Sequence, residues 1–275
     1  MAQCKRVFII GLDGMRGPAV NETDTPHLDA LMAEGAWTIK AQSVMPSASY
    51  QAWGAMLHGV GPAVHQINSK RPIEEDVNWP SFMKVARQQC PDAKIGAYCA
   101  WTPIIDDIIE DSSQADTVSM DDMELMPAAL EYIRDEKPDI FFIHLDIIDG
   151  TGHGHGYKSD KYYESIRLCD GWVGDLMDAI KSIGDYDESM VIVTSDHGGT
   201  DIFDDDGKVI ACSHGTDHPE CMEIFWAARG PGVVPGEMAA DFNIGATAPV
   251  VTHALGLDAP EGWEESVPAG LFEDK

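Results

Sequence analysis

The sequence predicts an α/β fold of three layers, with a mostly parallel central sheet and helices on both faces. Apolar runs rich in branched residues occupy positions 7–12, 139–145 and 190–194, as is typical of strands covered on both faces. Segments with helical spacing of apolar residues separate these runs, and such alternation of strand and helix favours parallel pairing. The chain has 275 residues, which is enough to bury a large core.

The first predicted strand, residues 7–12, is followed by Asp13 and Gly14. A carboxylate therefore lies at the carboxyl end of this strand. Thr25-Pro26 then opens a helix, because proline is favoured in the first helical turn, and Gly35 ends that helix. The chain thus begins with a strand, a loop and a helix.

A second helix is predicted from about Ser49 to Gly59. A proline and small residues precede it, and Gly59 is suited to a left-handed cap. Ser49 then lies at a helix N-terminus, where unpaired backbone N–H groups and the helix dipole favour an anion such as a phosphate or an alkoxide. Serine at this position also occurs simply as a helix cap, so the placement alone does not establish a nucleophile.

The rest of the chain continues the alternation. Residues 101–120 show little periodicity, so we predict a loop there and regard residues 61–120 as a candidate lid or specificity insert within a single domain over residues 1–275. The remaining predicted elements are helices at 80–89, 122–137, 159–180 and 247–255, and strands at 93–99, 139–145, 190–194 and 222–228.

The composition limits the classes of partner. Forty-seven acidic and eighteen basic side chains give a formal net charge of −29, which argues against a nucleic-acid or anionic-membrane surface. No apolar segment reaches the ~18 residues that a membrane helix needs. As written, the chain is expected to be cytoplasmic, or periplasmic or secreted if a leader has been removed. The six cysteines show no paired metal or redox spacing, and the oligomeric state stays open, with a homodimer allowed.

Metal-type ligands follow three of the predicted strands. Open α/β sheets bind ligands just outside the carboxyl ends of their strands, so these side chains are expected to meet at one edge. Carboxylate oxygens and imidazole nitrogens are a donor set that zinc accepts. Each short motif by itself is common in turns and solvated loops, and the signal lies in their combination. The candidate ligands are Asp13, Asp149, His153, Asp196, His197 and His214.

The order of these motifs resembles the alkaline phosphatase superfamily and, within it, the type I phosphodiesterase and nucleotide pyrophosphatase family. Each piece is short, but together they run through most of the chain in the family's order. The resemblance implies an alkaline phosphatase-like catalytic domain. The matching segments are residues 10–16, 25–31, 46–65, 149–153, 194–198 and 214–215.

The resemblance implies a role for each matching residue. Asp149, His153 and His214 would hold one Zn²⁺ ion, and a second set would hold another ion beside Ser49, which would be the nucleophile and also a ligand. Manganese or another divalent ion could replace zinc. The implied activity is hydrolysis of a small phosphodiester or pyrophosphate through a phosphoseryl intermediate. The second ligand set is Asp13, Asp196 and His197.

Some features depart from the family pattern or leave alternatives open. Relatives often carry an asparagine where this chain has the Gln51-Ala52 stretch, so that phosphate donor is absent. A phosphomonoesterase with the same site is an alternative, and a catalytically silent metal-binding or phosphate-binding protein is another. A diesterase is favoured because no arginine lies near Ser49 in the sequence, whereas an apolar wall for a second substituent is available. The aromatic residues for that wall are Tyr50, Trp53, Tyr98 and Trp101.

Four other histidines have less specific interpretations. His144 lies inside a strand and is expected to be a core or sheet residue, and His65 is expected to brace the loop after the second helix. His155 and His218 are expected to be solvated neighbours of the site.

Overall fold

The computed structural model describes residues 4–204 and 209–273, so the predicted domain boundaries at 1 and 275 lie outside the described residues. The strands are β1 (Arg6–Leu12), β2 (Ala36–Gln42), β3 (Ile95–Cys99), β4 (Asp116–Ser119), β5 (Ile140–Leu145), β6 (Ser189–Thr194), β7 (Thr200–Phe203), β8 (Val209–Ser213), β9 (Glu223–Arg229) and β10 (Gly236–Glu237). The helices are α1 (Pro26–Glu34), α2 (Ser49–His58), α3 (Pro62–His65), α4 (Phe82–Gln89), α5 (Asp122–Glu136), α6 (Ile147–His155), α7 (Asp160–Ser182), α8 (Pro219–Met222) and α9 (Thr247–Leu255).

Within the described residues, eight strands form one sheet in the order β10-β2-β9-β6-β1-β5-β3-β4. Strand β1 is parallel to both of its neighbours, β5 and β6, and the pairs β3–β5 and β3–β4 are also parallel. Strand β9 runs antiparallel to β2 and β6. The predicted mostly parallel sheet is therefore confirmed. Strands β7 and β8 pair separately as an antiparallel ribbon.

Helices cover both faces of the sheet, as predicted. Alternate residues of β1 point to opposite sides: Val7 and Ile9 belong to one buried cluster with side chains of α2, α4 and α9. Phe8 and Ile10 belong to the other cluster, with side chains of α1, α5 and α7. This separation follows from the period-two geometry of a strand. Every residue of β5 and β6 is buried, which explains why these strands read as continuous apolar runs.

The interpretation of residues 101–120 as an irregular loop is wrong in part. This segment contains a π-helical turn, Ile104–Ile108, a short 3-10 turn and strand β4, which lies beside β3. Strand β2 is also absent from the sequence-based prediction. It contains lysine and glutamine and pairs through an irregular register with β9. Both strands are defined by their partners more than by their own apolar pattern.

The helix that carries Ser49 ends where the sequence indicates. Gly59 caps α2 with φ of 62° and ψ of 19°, and its N–H donates to the carbonyl of Ala55. A Cβ at this glycine would approach the ring of Trp263 to 2.9 Å, so both backbone conformation and space favour glycine. In the described ranges, no helix is long and apolar enough to span a lipid bilayer.

Candidate metal centre

The candidate site lies at the carboxyl ends of three neighbouring parallel strands. Strand β1 is followed by Asp13, β6 by Asp196 and β5 by the turn that leads to Asp149. Because β1 lies between β6 and β5, the three carboxylates are brought to one edge of the sheet. This is the position at which open α/β sheets bind ligands.

Asp13, Asp196 and His197 form a fully buried set. The Nε2 atom of His197 lies 3.2 Å from an Asp196 oxygen and 3.5 Å from Oδ1 of Asp13. Single ligand atoms from the three residues all fall within 4.8 Å of one another. The Nδ1–H group of His197 donates to the carbonyl of Gly198 at 2.8 Å, which directs Nε2 at the carboxylates. The set has the donor atoms and the mutual distances that a divalent ion requires.

The electrostatics of this set are compatible with a bound cation. Burial, together with the neighbouring acids Asp196 and Asp149, raises the pKa of Asp13 well above its usual value. Burial likewise raises the pKa of Asp196, with Asp149 adding to the effect. Oδ1 of Asp13 and Oδ2 of Asp196 are buried and accept no hydrogen bond. Unpaired buried carboxylate oxygens are costly, and a divalent ion between them would remove that cost. The residues therefore fit a metal ion.

Asp149, His153 and His214 form a second, more open set beside the first. Asp149 and His153 lie one turn apart on α6, with Oδ2 and Nε2 3.3 Å apart. His214 follows β8, and its Nε2 atom lies 3.1 Å from Nε2 of His153. The Nδ1–H group of His214 donates to the carbonyl of Ser47, so the nitrogen facing the cluster is free to act as a ligand. The rings of His197 and His214 stack at 3.9 Å, so the two sets adjoin.

The two histidines of the second set differ in basicity. The hydrogen bond with Asp149 raises the pKa of His153. Burial, assisted by the neighbouring His197, lowers the pKa of His214 to about 4. Burial opposes ionisation of Asp149, but its bond to His153 and the nearby imidazoles outweigh burial and lower its pKa. The set thus favours an ionised carboxylate and a neutral His214, which are the ligand forms of both groups.

Gly14 allows the first and second sets to approach each other. Its φ is +71°, and a Cβ at this position would lie 2.5 Å from Oδ1 of Asp149. Any side chain here would displace Asp149 or strain the turn. The N–H of Gly14 also donates to Oδ1 of Asp196 at 3.1 Å. The Asp13-Gly14 pair after β1 therefore leaves room for Asp149 of the second set and donates a hydrogen bond to Asp196 of the first.

Ser49 is the first residue of α2 and lies against the buried set. Its Oγ atom is 3.3 Å from Nε2 of His197. The hydroxyl is half-buried, at the positive end of a ten-residue helix. The structure thus brings all six predicted ligands and the predicted nucleophile into one cluster.

The family model described as "Type I phosphodiesterase / nucleotide pyrophosphatase" matches residues 7–101 and 104–230, which is most of the chain. The chain belongs to this family. The matched residues include every predicted ligand and Ser49, and the resemblance drawn from the short motifs is confirmed.

The curated relatives of this phosphodiesterase family protein include proteins named as transferases and proteins named as pyrophosphatases/phosphodiesterases. GPI ethanolamine phosphate transferase 1 of Mus musculus is 25% identical in an alignment 319 residues long. The alignment covers 98% of this chain and 33% of that protein. Ectonucleotide pyrophosphatase/phosphodiesterase family member 1 of Mus musculus is 24% identical over 215 residues, which cover 70% of this chain and 24% of that protein. The chain therefore spans about a third or less of these relatives.

Solved structures of ectonucleotide pyrophosphatase/phosphodiesterase 5 share the fold. An inactive murine variant in complex with AMP has a TM-score of 0.76 and 16% identity, covering 93% of this chain and 96% of that one. The human protein has a TM-score of 0.75 and 14% identity, covering 92% of this chain and 96% of that one. The alkaline phosphatase-like fold implied by the resemblance is thus confirmed for this family member.

Three side chains bond to predicted ligands, a role that the sequence analysis did not assign to them. The indole N–H of Trp53 and Nε2 of His144 both bond to Asp13, and the Tyr157 hydroxyl donates to Oδ1 of Asp149 at 2.7 Å. His144 is a buried sheet residue, as predicted, but it also contacts a predicted ligand. The position of His144 in a strand next to β1 could have indicated its contact with Asp13. No sequence pattern indicates the bond from Trp53 to Asp13 or the bond from Tyr157 to Asp149.

The predicted aromatic wall is smaller in the structure. Trp53 is fully buried, and Tyr98 packs on the opposite face of the sheet against Tyr132, so neither is open to a substrate. Tyr50 and Trp101 remain, half-buried, with ring centroids 4.7 Å apart in an edge-to-face contact. The wall therefore reduces to this one aromatic pair beside Ser49.

The other histidines have the positions expected for them. The Nδ1 atom of His65 accepts the N–H of Ile67, and the ring lies near the carbonyl of Gln51, so His65 braces the chain after α2. His155 and His218 are exposed.

Proposed function

We propose that this protein is a two-metal phosphoric ester hydrolase that acts on a small phosphodiester or pyrophosphate through a phosphoseryl intermediate on Ser49. The observation that carries the proposal is the adjacency of two Asp/His sets with a helix-terminal serine hydroxyl 3.3 Å from one of their ligands. The family membership supports phosphoric ester chemistry.

The first metal would be held by Asp13, Asp196 and His197, beside the hydroxyl of Ser49, and the second by the more open set. The mixed nitrogen and oxygen donors favour Zn²⁺, and Mn²⁺ is the first substitute to test. When bound, two divalent ions supply Lewis-acid stabilisation of the charge on phosphate and favour the ionised form of a nearby hydroxyl.

The residues of the chain account for the covalent steps. The oxygen of Ser49 attacks phosphorus and its proton passes to solvent water. The bond from phosphorus to the leaving oxygen breaks, releasing a phosphate or an alkoxide that takes up a proton from water to become an alcohol. The N-terminus of α2 favours the developing negative charge. Water then attacks phosphorus on the opposite side from Ser49, the bond to the serine oxygen breaks, and the hydroxyl is restored.

The surroundings of Ser49 favour a diester over a monoester. A monoester dianion gains from an additional cationic clamp, whereas a diester has a second substituent that needs an apolar surface. In the described part of the chain, no hydrogen bond or ion pair joins Ser49 or a predicted ligand to a lysine or arginine. The pair Tyr50 and Trp101 offers the apolar surface. A phosphomonoesterase with the same site is the alternative.

A second candidate is transfer of the phosphoryl group to an alcohol. The similarity to the murine protein named GPI ethanolamine phosphate transferase 1 extends over 98% of this chain. The same phosphoserine would then react with an acceptor hydroxyl in place of water. Turnover of a diester in the presence of glycerol distinguishes the two. A transferase yields a glycerol diester that keeps the remaining substituent on phosphorus, whereas a hydrolase yields mainly the monoester formed with water.

The proposal is tested by metal analysis and by two variants of Ser49. The purified protein should bind two divalent ions and hydrolyse an aryl phosphodiester, and a chelator should abolish turnover until zinc is restored. Ser49→Ala should lower kcat by about a thousandfold or more while both ions stay bound. Ser49→Thr is the matched control, because its hydroxyl should retain much of the activity.

Three results would overturn the assignment. Absence of bound metal after zinc loading would remove the metal centre. Two bound ions without turnover of any phosphate ester would favour the catalytically silent alternative. An Ala variant with near wild-type turnover would reduce Ser49 to a helix cap.

A further inference from the structure

The two oxygens of the Asp13 carboxylate have opposite surroundings. Oδ2 receives two buried donors, the indole N–H of Trp53 at 3.0 Å and Nε2 of His144 at 2.8 Å. Oδ1 accepts no hydrogen bond and lies 3.5 Å from Nε2 of His197. One oxygen is thus held by the protein, and the other faces the cluster.

The donor character of His144 is set by a backbone contact. The N–H of Trp101 points at Nδ1 of His144 at 3.4 Å, which requires an unprotonated Nδ1 and places the proton on Nε2, facing Asp13. His144 lies opposite Gly11 in the register of β1 and β5, and its ring contacts that of Trp53 edge-to-face at 5.1 Å. Both donors are fully buried, so water does not compete for Oδ2.

We propose that Trp53 and His144 are positioning residues that occupy Oδ2 of Asp13, so that Asp13 binds its metal ion through Oδ1 alone. The inference rests on the proposed function, because it presumes that an ion binds there. An Asp13 free to use both oxygens would add a ligand to that ion and occupy a coordination position that the Ser49 hydroxyl needs. Partners of this kind around metal ligands typically alter affinity or activity by about ten- to a hundredfold.

The same contacts connect the candidate insert to the metal centre. Trp101 begins the segment 101–120, and its ring contacts Tyr50 while its N–H faces His144. A displacement of Trp101 would therefore alter both the aromatic pair and the donor that holds Asp13. Trp101 thus contacts both Tyr50 of the aromatic pair and His144, the donor to Asp13.

Three substitutions separate positioning from packing. Trp53→Phe removes one N–H donor and keeps a buried ring, and His144→Leu removes the other donor. His144→Gln is the matched control, since its amide N–H can reach the same oxygen as Nε2. For each variant, zinc affinity is measured by competition with a chromophoric chelator. The coordination of the metal is followed in the visible spectrum of the cobalt-loaded protein. Folding is checked by thermal melting in excess chelator.

The proposal predicts that Trp53→Phe and His144→Leu weaken the affinity of one of the two ions by about ten- to a hundredfold, because the lost orientation of Asp13 outweighs the contact of its second oxygen. Their cobalt spectra should lose intensity as the coordination number of that ion rises, and kcat should fall more than KM changes. His144→Gln should resemble the wild type in all three measurements.

Wild-type affinity and spectra in both donor-deleted variants would overturn the inference and leave the proposed function intact. Equal losses in His144→Gln and His144→Leu would also overturn it, because packing would then explain the effect. Failure of the wild-type protein to bind metal would instead overturn the proposed function and the inference together.

Discussion

At the scale of single residues, the histidines differ in what their ring nitrogens contact. His197 and His214 each use Nδ1–H to donate to a backbone carbonyl, which directs Nε2 into the ligand cluster. His144 places both nitrogens in hydrogen bonds, one with the N–H of Trp101 and one with Asp13. His65 bonds to backbone groups outside the cluster. The hydrogen bond made by one nitrogen thus decides whether the other is available to a metal.

His65 allows a prediction about pH and stability that is independent of the metal site. Burial, with a smaller contribution from His58, lowers its pKa from 6.5 to about 4. The unfolded chain therefore binds this proton at a higher pH than the folded chain does. The resulting stability is present above pH 6.5 and is lost as pH falls towards 4, by up to about 3 kcal/mol.

The His65→Gln variant should show a shallower loss of stability between pH 6.5 and 4.5 than the wild type. The measurement is the free energy of unfolding from urea titrations at both pH values, with chelator present so that metal release does not contribute. Parallel pH profiles for the two proteins would contradict the assigned shift.

At the scale of elements, helix α2 is fixed along its length by contacts that also define the site. Its first residue is Ser49, the hydroxyl of Tyr50 donates to Asp107 at 2.7 Å, and Trp53 bonds to Asp13. The helix ends at a left-handed glycine. Ser49, Tyr50 and the Trp53 donor to Asp13 therefore lie on one helix.

This arrangement predicts a preference for diesters. An aryl phosphodiester should have a higher kcat/KM than the matching aryl monoester at equal pH and zinc loading. Trp101→Ala should weaken the diester reaction more than the monoester reaction, because the second substituent loses its apolar surface. Tyr50→Phe is the control, since it keeps the ring and loses only the bond to Asp107.

A tenfold or greater preference for the monoester would contradict this prediction. It corresponds to about 1.4 kcal/mol of transition-state stabilisation in the opposite direction. The phosphatase alternative would then replace the diesterase.

At the scale of the whole molecule, a protein of formal charge −29 is proposed to bind an anion. The six predicted ligands include three carboxylates, Asp13, Asp149 and Asp196, and an ionised Ser49 would add a fourth negative charge, whereas two divalent ions would bring four positive charges. The loaded site would thus be nearly neutral on an acidic surface. Local charge, rather than net charge, governs the binding of a small phosphate ester.

The net charge itself predicts a salt effect on stability. Raising NaCl from about 10 mM to about 150 mM shortens the Debye length from about 30 to about 8 Å and screens the repulsion among surface acids. The melting temperature at pH 7 should rise by about 2–4 °C for each kcal/mol of repulsion relieved. Calorimetry in chelator tests this, and the increment should shrink as pH approaches the isoelectric point of about 4.4. An increment that is independent of pH would contradict the electrostatic origin.

The sequence by itself indicated the central strands and the candidate ligand set. Strands β1, β5 and β6 are buried on both faces and so appear as continuous apolar runs, and each is followed by an acidic residue. The carboxyl ends of adjacent parallel strands meet at one edge, so local pattern and fold class were enough to place Asp13, Asp149 and Asp196 together. Gly59 likewise indicated its helix end, because left-handed backbone favours glycine.

Only the tertiary structure decided which neighbours support the ligands. Trp53 and His144 lie 40 and 131 residues from Asp13 in the chain, and the predicted aromatic wall lost Trp53 and Tyr98 to the core. Strands β2 and β4 also depended on their partners in the sheet. Local propensity and hydrophobic period describe one segment at a time, whereas these contacts depend on how separate elements pack, which is why the sequence pattern does not contain them.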